Sequence, residues 1–296
     1  MYEILKVKEL SATTMLMEVT APRVAKYCQP GQFLIVRLGE KGERIPLTIC
    51  DYDRAAGTVT IIFAAIGAST MKLLQLGVGD YFTDVVGPLG CASEFIKADL
   101  TLLKQKKFLF VAGGIGAAPV YPQVKWLYEQ GIDVDVIIGA RTKDLIILEK
   151  EMWKVACNVY IATDDGSAGH HGLVTDVIRE NIEKYGIEYD EVIAIGPMVM
   201  MKFVSLLTKE LQIPTVVSMN SIMVDGTGMC GACRLTVGTD IKFACVDGPE
   251  FDGHLVDFDE AIKRQTMYQK HESTAVQRLS ENHAGGCCSK EEVNDK

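Results

Sequence analysis

The sequence predicts a β + α/β protein in three parts: an antiparallel β domain over residues 1–98, a parallel α/β domain over residues 99–219, and a small cysteine-rich segment over residues 220–296. Three observations predict this order. Short apolar or alternating runs recur at the start of the chain, strand and helix patterns alternate in the middle, and glycine and cysteine cluster after residue 220. A chain of 296 residues is long enough for two domains and a small appendage.

The composition argues against two classes of partner. The chain has 30 lysines and arginines against 39 aspartates and glutamates, a net charge of −9, whereas nucleic acids and anionic membranes select basic surfaces. The first residues are charged and lack the apolar run of a signal peptide. The longest uncharged stretch, residues 108–124, contains three glycines and two prolines. We therefore expect a cytoplasmic protein that binds neither nucleic acid nor a membrane.

Four short runs in the first part have the pattern of β-strands. Turn residues separate them, for example at residues 29–31 and 56–57, which is typical of an antiparallel barrel or sandwich. The apolar period lengthens near residues 69–76, where we expect a short helix. The four runs are residues 4–10, 13–20, 32–38 and 58–65.

The middle part alternates strand and helix patterns at the interval of a parallel sheet with crossover helices. The run at residues 108–113 is continuously apolar, as buried parallel strands are. The predicted strands cover residues 108–113, 133–140, 158–163, 191–196 and 215–219. The predicted helices cover residues 120–130, 144–156, 172–185 and 197–211.

The last part is too short to form an apolar core of its own over residues 220–250. Residues 257–281 are charged and have a helical pattern, and residues 283–296 are polar, so we expect a terminal helix followed by a disordered tail. Cys287 and Cys288 lie in that tail.

A glycine loop between a strand and a helix predicts a nucleotide site. Gly113, Gly114 and Gly116 follow the first strand of the α/β domain, where backbone amides at a helix N-terminus can bind phosphate. The strict G-x-G-x-x-G pattern is absent, so a tight turn is the alternative. However, Arg141, Asp165 and Gly196 also follow predicted strands, and such ends line the ligand crevice of an open parallel sheet.

Polar residues in the β domain form two further motifs. Arg44-Ile45-Pro46-Leu47-Thr48 reads as a strand with a cation at its start, and Gly67-Ala68-Ser69-Thr70 opens the predicted short helix. Arginine can bind phosphate through two parallel hydrogen bonds. Taken singly, each motif is equally well an exposed arginine or an ordinary helix cap.

Together with V-A-G-G-I-G-A-A-P, these motifs resemble the ferredoxin-NADP reductase superfamily, in which a β-barrel binds FAD and an α/β domain binds a nicotinamide nucleotide. The resemblance implies that Arg44, Ser69 and Thr70 bind the flavin pyrophosphate and that Thr48 contacts the isoalloxazine. Many members have a cysteine before the late Gly-Pro, where this chain has Ile195. The candidate cofactor-binding residues are Arg44, Pro46, Leu47, Thr48, Gly67, Ser69, Thr70, Gly113, Gly114, Gly116, Arg141, Asp165 and Gly196.

The clustered cysteines predict a [2Fe–2S] centre. Cys230 and Cys233 have the C-x2-C spacing, Cys245 follows twelve residues later, and Asp225 occupies the first position of the usual C-x4-C-x2-C pattern. We expect Asp225, Cys230, Cys233 and Cys245 to be the ligands. A distant cysteine or Asp247 is the alternative fourth ligand, and zinc with His254 is the alternative metal.

With the cluster segment included, the layout resembles the electron-transfer subunit of dihydroorotate dehydrogenase, and more closely the small subunits of NADH-dependent reduced ferredoxin:NADP oxidoreductases. This implies hydride exchange between NAD(H) and FAD, single electrons relayed through the cluster, and a heterodimer with a larger flavin-bifurcating subunit that carries a second FAD and [4Fe–4S] clusters. Ferredoxin and NADP(H) would then be indirect partners.

The sequence leaves two alternative functions open: a subunit of an NAD-dependent dihydroorotate dehydrogenase, and a self-sufficient NAD(P)H reductase with a soluble acceptor. The choice of nucleotide is also open, because Arg141 favours NADP and Asp165 favours NAD, while the resemblance favours NAD. The sequence contains no Ser-His-Asp set or paired carboxylates for hydrolysis, so we expect cofactor chemistry without a catalytic acid–base residue.

Overall fold

The computed structural model describes residues 2–284, so Cys287, Cys288 and nearly all of the predicted polar tail lie outside the described residues. The first part is a seven-stranded antiparallel sheet in the order β6-β1-β2-β5-β4-β3-β7. The edge strands β6 and β7 are separated in sequence only by Thr83, so the sheet nearly closes into a barrel. Its strands are β1 (Tyr2–Ser11), β2 (Thr14–Thr20), β3 (Phe33–Arg37), β4 (Arg44–Asp53), β5 (Thr58–Ala64), β6 (Tyr81–Phe82) and β7 (Asp84–Leu89).

The barrel buries the alternate apolar positions that the sequence places on one face of each strand. Met17 lies opposite Ile61 and Val19 lies opposite Val59, and all four side chains are buried in the same cluster. Two short helices, α1 (Pro22–Tyr27) and α2 (Ala68–Leu73), interrupt the strands. α2 confirms the predicted short helix, whereas α1, β6 and β7 are not among the predicted elements.

The second part is a parallel sheet in the order β11-β10-β9-β8-β12-β13. All six residues of β8 are buried, which explains its unbroken apolar sequence. Its strands are β8 (Phe108–Gly113), β9 (Val134–Ala140), β10 (Asn158–Thr163), β11 (His170–His171), β12 (Glu191–Ile195) and β13 (Thr215–Ser218). Its helices are α3 (Leu100–Leu103), α4 (Ala117–Glu129), α5 (Glu149–Met152), α6 (Val174–Arg179) and α7 (Met198–Glu210).

One predicted helix is wrong in extent. Residues 144–156 contain only α5, because Leu148 takes a left-handed conformation at φ 58° and Ile146 is extended, so the chain cannot continue one helix through them. Helix α6 is likewise shorter than predicted and continues as a wider helical turn from Glu180 to Lys184.

The third part is continuous with the second sheet. β16 (Glu250–Asp252) pairs antiparallel with β13, and the hairpin of β14 (Arg234–Val237) and β15 (Asp240–Phe243) precedes it. The expected terminal helix is present as two helices, α8 (Phe258–Gln265) and α9 (Gln269–Ala284). α8 packs against α7 and β14, and α9 reaches back to contact α2 of the barrel.

Within residues 2–284, no helix combines the length and the apolar character that crossing a membrane requires.

Candidate electron-transfer site

The nucleotide crevice lies where the strand order reverses. From β8 the chain leads to β9 and β10 on one side of the sheet and to β12 and β13 on the other, so the crevice opens at the carboxyl ends of β8 and β12. Gly113 and Gly116 follow β8, and Gly196 follows β12. The structure therefore brings these predicted residues together.

These glycines are required because two loops approach each other closely. A Cβ on Gly113 would lie 2.5 Å from the Met200 sulfur, and a Cβ on Gly116 would lie 2.0 Å from the Ile195 carbonyl oxygen. Gly114 has a positive φ of 54° and no neighbouring atom within 4 Å of a Cβ position. The loop is thus packed on one side and open at Gly114, as a phosphate cradle must be.

Arg141 and Asp165 lie at the carboxyl ends of β9 and β10, and both are exposed. The Asp165 carboxylate accepts hydrogen bonds from the Ser167 hydroxyl at 2.6 Å and the Ser167 amide at 3.0 Å, which lower its pKa. The Ser167 hydroxyl oxygen also accepts the Lys143 amide at 2.8 Å. Asp165 therefore ties two loops together at the rim of the crevice.

The predicted flavin strand has one unpaired edge. β4 pairs with β3 from Arg44 to Thr48, but it pairs with β5 only from Ile49 to Asp53. Pro46, which has no amide hydrogen, is tolerated in this half-paired stretch. Leu47 is buried and Thr48 is partly buried. The backbone of Arg44–Thr48 is thus open to a ligand on one side.

The start of α2 lies close to the start of this strand. The Ser69 hydroxyl donates to the carboxylate of Glu43, the residue before Arg44. The Thr70 hydroxyl oxygen accepts the Gly67 amide at 3.0 Å, closing the first turn of the helix. The hydrogen bond from Ser69 to Glu43 therefore places the start of α2 next to the residue that precedes Arg44.

The predicted cluster ligands form two pairs. The Asp225 carboxylate is 3.3 Å from the Cys230 sulfur, and the sulfurs of Cys233 and Cys245 are 3.3 Å apart. The β14–β15 hairpin explains the second pair, because Cys233 directly precedes β14 and Cys245 lies two residues after β15. Each of these two contacts joins the two ligands of one pair.

The two pairs lie in different environments. Cys233 and Cys245 are buried, at 2% and 1% exposure, and burial beside Cys233 raises the pKa of the Cys245 thiol. Cys230 is exposed. Although desolvation opposes the shift, hydrogen bonds from Thr227, Cys230 and Met229 lower the pKa of Asp225 to about 2. Asp225 is therefore a fixed anion in its loop.

This arrangement fits a two-iron cluster better than a mononuclear metal site. Within residues 2–284, no three histidine, cysteine, aspartate or glutamate side chains lie close enough to hold a single ion. Each iron of a [2Fe–2S] cluster needs only two protein ligands beside the bridging sulfides, which matches two pairs. Backbone amides of Met229 and Cys230 point toward Asp225, 2.9 and 3.1 Å from its carboxylate.

The alternative ligands are engaged elsewhere. His254, the histidine that a zinc site would need, is 3.1 Å from the Thr208 hydroxyl through its Nε2 atom. The Asp247 carboxylate accepts the Phe243 amide at 2.7 Å. These contacts argue against a zinc site with His254 and against Asp247 as the fourth ligand.

Arg44 joins the flavin strand to the cluster loop. Its guanidinium donates to the carbonyl oxygens of Val224 at 3.2 Å and Asp225 at 3.0 Å. The loop also lies tightly on the barrel, because a Cβ on Gly226 would be 2.5 Å from the Ile35 side chain. The candidate flavin and cluster sites are therefore adjacent.

A partly buried carboxyl group that was not predicted lies at the junction of the three parts. Glu250 accepts hydrogen bonds from Ser93 and Gln123, which are 157 and 127 residues away in sequence. The only local signal is the position of Glu250 five residues after Cys245, and that signal does not identify its partners.

Two protein families match the chain. Residues 220–257 match the "Iron-sulfur cluster binding domain of dihydroorotate dehydrogenase B". Residues 110–206 match the "Oxidoreductase NAD-binding domain". The first range contains all four proposed cluster ligands, and the second contains the glycine loop, Arg141, Asp165 and Gly196.

Similar proteins cover nearly the whole chain. An uncharacterized protein in the adh 3' region of Clostridium beijerinckii is 57% identical, over 97% of this chain and 98% of the relative. A homologue of the dihydroorotate dehydrogenase B (NAD(+)) electron transfer subunit from Thermotoga maritima is 44% identical, over 94% and 95%. The corresponding subunit from Fusobacterium nucleatum is 32% identical, over 82% and 92%.

Solved structures agree with these relatives. A chain of the NADH-dependent reduced ferredoxin-NADP oxidoreductase, described in terms of flavin-based electron bifurcation, aligns with a TM-score of 0.86 at 41% identity, over 95% of this chain and 98% of that chain. Phthalate dioxygenase reductase aligns with a TM-score of 0.55 at 16% identity, over 80% and 85%, which shows a shared fold.

Proposed function

The chain belongs to the family of dihydroorotate dehydrogenase B electron transfer subunits, and on that premise we propose that it passes electrons from NADH, through FAD and a [2Fe–2S] cluster, to a larger partner subunit. The partner that we propose carries a second FAD and [4Fe–4S] clusters and couples this reaction to ferredoxin and NADP(H). The 41% identity to the NADH-dependent reduced ferredoxin-NADP oxidoreductase chain supports this partner.

One observation carries the proposal: Arg44 bonds to the cluster loop while lying on the open edge of the candidate flavin strand. A relay needs its two redox groups close together and fixed, and this contact fixes the two sites against each other. When bound, FAD converts a two-electron hydride into single electrons, and the cluster carries one electron at a time.

The residues of this chain have distinct proposed roles. Gly113, Gly114, Gly116 and Gly196 form the phosphate cradle for NADH, with Arg141 and Asp165 at the rim. Arg44, Gly67, Ser69 and Thr70 bind the flavin pyrophosphate, while Pro46, Leu47 and Thr48 lie along its ring. Asp225, Cys230, Cys233 and Cys245 hold the cluster.

An exposed apolar surface beside the exposed ligand pair supports a partner subunit. Met229 is 88% exposed and Val224 is 50% exposed, and both lie in the same loop as Asp225 and Cys230. Large apolar side chains exposed next to a functional loop are typical of protein interfaces. The seven cysteines within residues 2–284 are free thiols, which is consistent with our proposal of a cytoplasmic location.

Purification from the native host tests the partner directly. We expect the chain to co-elute with a larger flavoprotein that contains additional iron and labile sulfide. Isolation of a single chain that reduces soluble acceptors at full rate would favour the self-sufficient reductase. Co-elution with a dihydroorotate-oxidising flavoprotein would favour a subunit of an NAD-dependent dihydroorotate dehydrogenase. This is the natural alternative, because electron transfer subunits of dihydroorotate dehydrogenase B are 32–36% identical to this chain.

Stopped-flow reduction of the bound flavin tests the nucleotide. We expect NADH to bleach the flavin absorbance much faster than NADPH, because Asp165 at the rim suits a ribose 2′-hydroxyl. Fast reduction by NADPH alone would contradict the NADH assignment.

A further inference from the structure

The Glu250 carboxyl group joins the three parts of the molecule. Its Oε1 atom accepts a hydrogen bond from the Ser93 hydroxyl at 2.9 Å and another from the Gln123 amide at 2.8 Å. Ser93 follows the barrel, Gln123 lies in the middle of α4, and Glu250 begins β16 in the cysteine segment. A single oxygen atom thus links the barrel, the nucleotide domain and the cluster segment.

The side chains that donate to this carboxyl group are buried, whereas Glu250 itself is partly exposed. Ser93 and Gln123 are 1% and 0% exposed. The barrel closes over the group at Gly31, where an added Cβ would lie 2.4 Å from the Ser93 hydroxyl and 3.1 Å from Glu250 Oε1. An ionised carboxylate at this position is less well solvated than in water. Two neutral hydrogen-bond donors compensate for that loss only in part.

Two lysines of the α/β domain pair with other carboxylates. Lys125, on the same helix as Gln123, bonds to Asp51 at 2.8 Å, and Lys106 bonds to Glu191 at 3.0 Å. The charged groups that act on Glu250 are Glu94, beside Ser93, and Glu191, on β12, and both disfavour a second anion. β13 presents the neutral Ser218 opposite Glu250.

Burial, reinforced by Glu94 and Glu191, raises the pKa of Glu250 to about 7, although the two hydrogen bonds act in the opposite direction. Its ordinary value is 4.5. The carboxyl group therefore exchanges its proton near neutral pH, where a small change in local potential alters its charge.

The same residue is close in sequence to the cluster. Glu250 lies five positions after Cys245, so the Cα atoms of the two residues are at most about 17 Å apart even when the chain is fully extended. That connection is held down by hydrogen bonds from the Cys91 amide to the Gly248 carbonyl and from the Met219 amide to the Pro249 carbonyl, at 2.6 and 2.8 Å. Charges at such a distance interact more strongly inside protein than in water, because the effective dielectric constant is ~20 rather than ~80.

We propose that Glu250 is a redox-linked protonation site, which takes up one proton when the cluster gains an electron and releases it when the electron leaves. The inference rests on the proposed function. The electron comes from NADH through the flavin, and the proton comes from water. Only the carboxyl O–H bond forms on reduction, and it breaks again when the partner removes the electron.

The sign of the coupling follows from charge. An added electron makes the cluster more negative, which favours protonated Glu250, and protonated Glu250 in turn favours the reduced cluster because the linkage is reciprocal. The midpoint potential should therefore fall as pH rises through about 7 and stay level once Glu250 can no longer change its charge.

Potentiometric titration followed by EPR tests this in the full chain with its cofactors, from about pH 5.5 to about pH 9. We expect wild type to show the fall in potential and Glu250→Gln, which keeps shape and cannot ionise, to show a level potential. Glu94→Gln is the matched control, because it removes an exposed negative charge beside Ser93 and leaves the hydrogen bonds of Glu250 intact. It should keep the fall in potential, at a somewhat lower pH, because Glu94 raises the pKa of Glu250.

An equal fall in wild type and Glu250→Gln would overturn the proposal while leaving the proposed function intact. Absence of any reducible [2Fe–2S] signal in wild type would contradict both. Should Glu250→Gln fail to fold, redox-difference infrared spectroscopy of wild type gives the answer. We expect a carboxylic acid C=O band to grow on reduction, and an unchanged band region would overturn the proposal.

Discussion

The two ligand pairs of the cysteine segment are built differently. Cys233 and Cys245 are buried and brought together by the β14–β15 hairpin, whose strands pair in register. Asp225 and Cys230 lie in an exposed loop, where Asp225 accepts the amides of Met229 and Cys230. The buried pair depends on the fold, whereas the exposed pair depends on its own turn.

The difference in exposure implies different roles for the two ligand pairs. A buried pair protects its iron from water and resists exchange, so we assign it the retention of the cluster. An exposed pair beside Met229 and Val224 is accessible to the partner subunit that we propose, so we assign it the exit of the electron. Substitutions in each pair and at Arg44 separate these roles.

Replacing Cys245 with alanine should abolish the cluster. The substitution removes a buried thiolate and leaves Cys233 without its neighbour, so the second iron would have a single protein ligand. Iron and labile sulfide should fall to background, and the visible absorbance of the cluster should disappear. The exposed Cys157, replaced in the same way, is the matched control and should leave the iron content unchanged.

Replacing Asp225 with alanine should weaken the cluster less than the loss of Cys245 does. The variant loses one ligand and the acceptor for two backbone amides, but the buried pair remains. We expect partial iron loss and an altered EPR spectrum, while Asp225→Cys should keep full iron content with a shifted spectrum and potential. A spectrum and potential unchanged in Asp225→Ala would exclude this residue as the ligand.

Replacing Arg44 with alanine should loosen the contact between the flavin and cluster sites. The variant loses two charge-assisted hydrogen bonds to the cluster loop. Each such bond contributes about 1.5–3 kcal/mol when shielded, and less at a partly exposed site. We expect FAD retention to fall about tenfold and cluster reduction to slow, with partial recovery in Arg44→Lys. If Arg44→Ala kept the wild-type FAD affinity and rate of cluster reduction, Arg44 would have no role at either the flavin site or the cluster site.

The pH dependence of unfolding should change modestly in Glu250→Gln. Because the folded-state pKa of Glu250 is raised to about 7 from 4.5, its stabilising contribution is present below about pH 4.5 and is lost as pH rises to about 7. One unit of pKa shift equals about 1.4 kcal/mol, so a few kcal/mol is the upper limit. Urea titrations at a series of pH values should show a flatter profile for the variant; an identical profile would contradict the raised pKa.

Most of the fold could be predicted because its strands carry strong local patterns. β8 and β10 match their predicted ranges residue for residue. β8 is fully buried and needs an unbroken apolar run, whereas β10 is buried only in part. The two-residue strand β6 and the edge strand β16 carry no such pattern. They exist because a neighbouring strand supplies their hydrogen bonds, which the sequence does not display.

In the candidate sites too, contacts that are local in sequence could be predicted and long-range contacts could not. The Asp225–Cys230 pair could be predicted from spacing because a five-residue loop brings it together. Neither the contact of Arg44 with Asp225, 181 residues apart, nor the partners of Glu250 has a local signal. Long-range contacts of this kind depend on how the barrel, the α/β domain and the cysteine segment pack.

We propose that electrons pass from NADH through the flavin to the cluster within this chain. Rapid mixing of the full, anaerobically purified chain with NADH, followed by freeze-quench EPR, tests it most directly. We predict that flavin reduction comes first and that the reduced [2Fe–2S] signal follows it, and that flavin-depleted protein gives no cluster signal. Cluster reduction at the same rate without flavin, or a cluster that stays oxidised beside fully reduced flavin at every pH, would contradict the account.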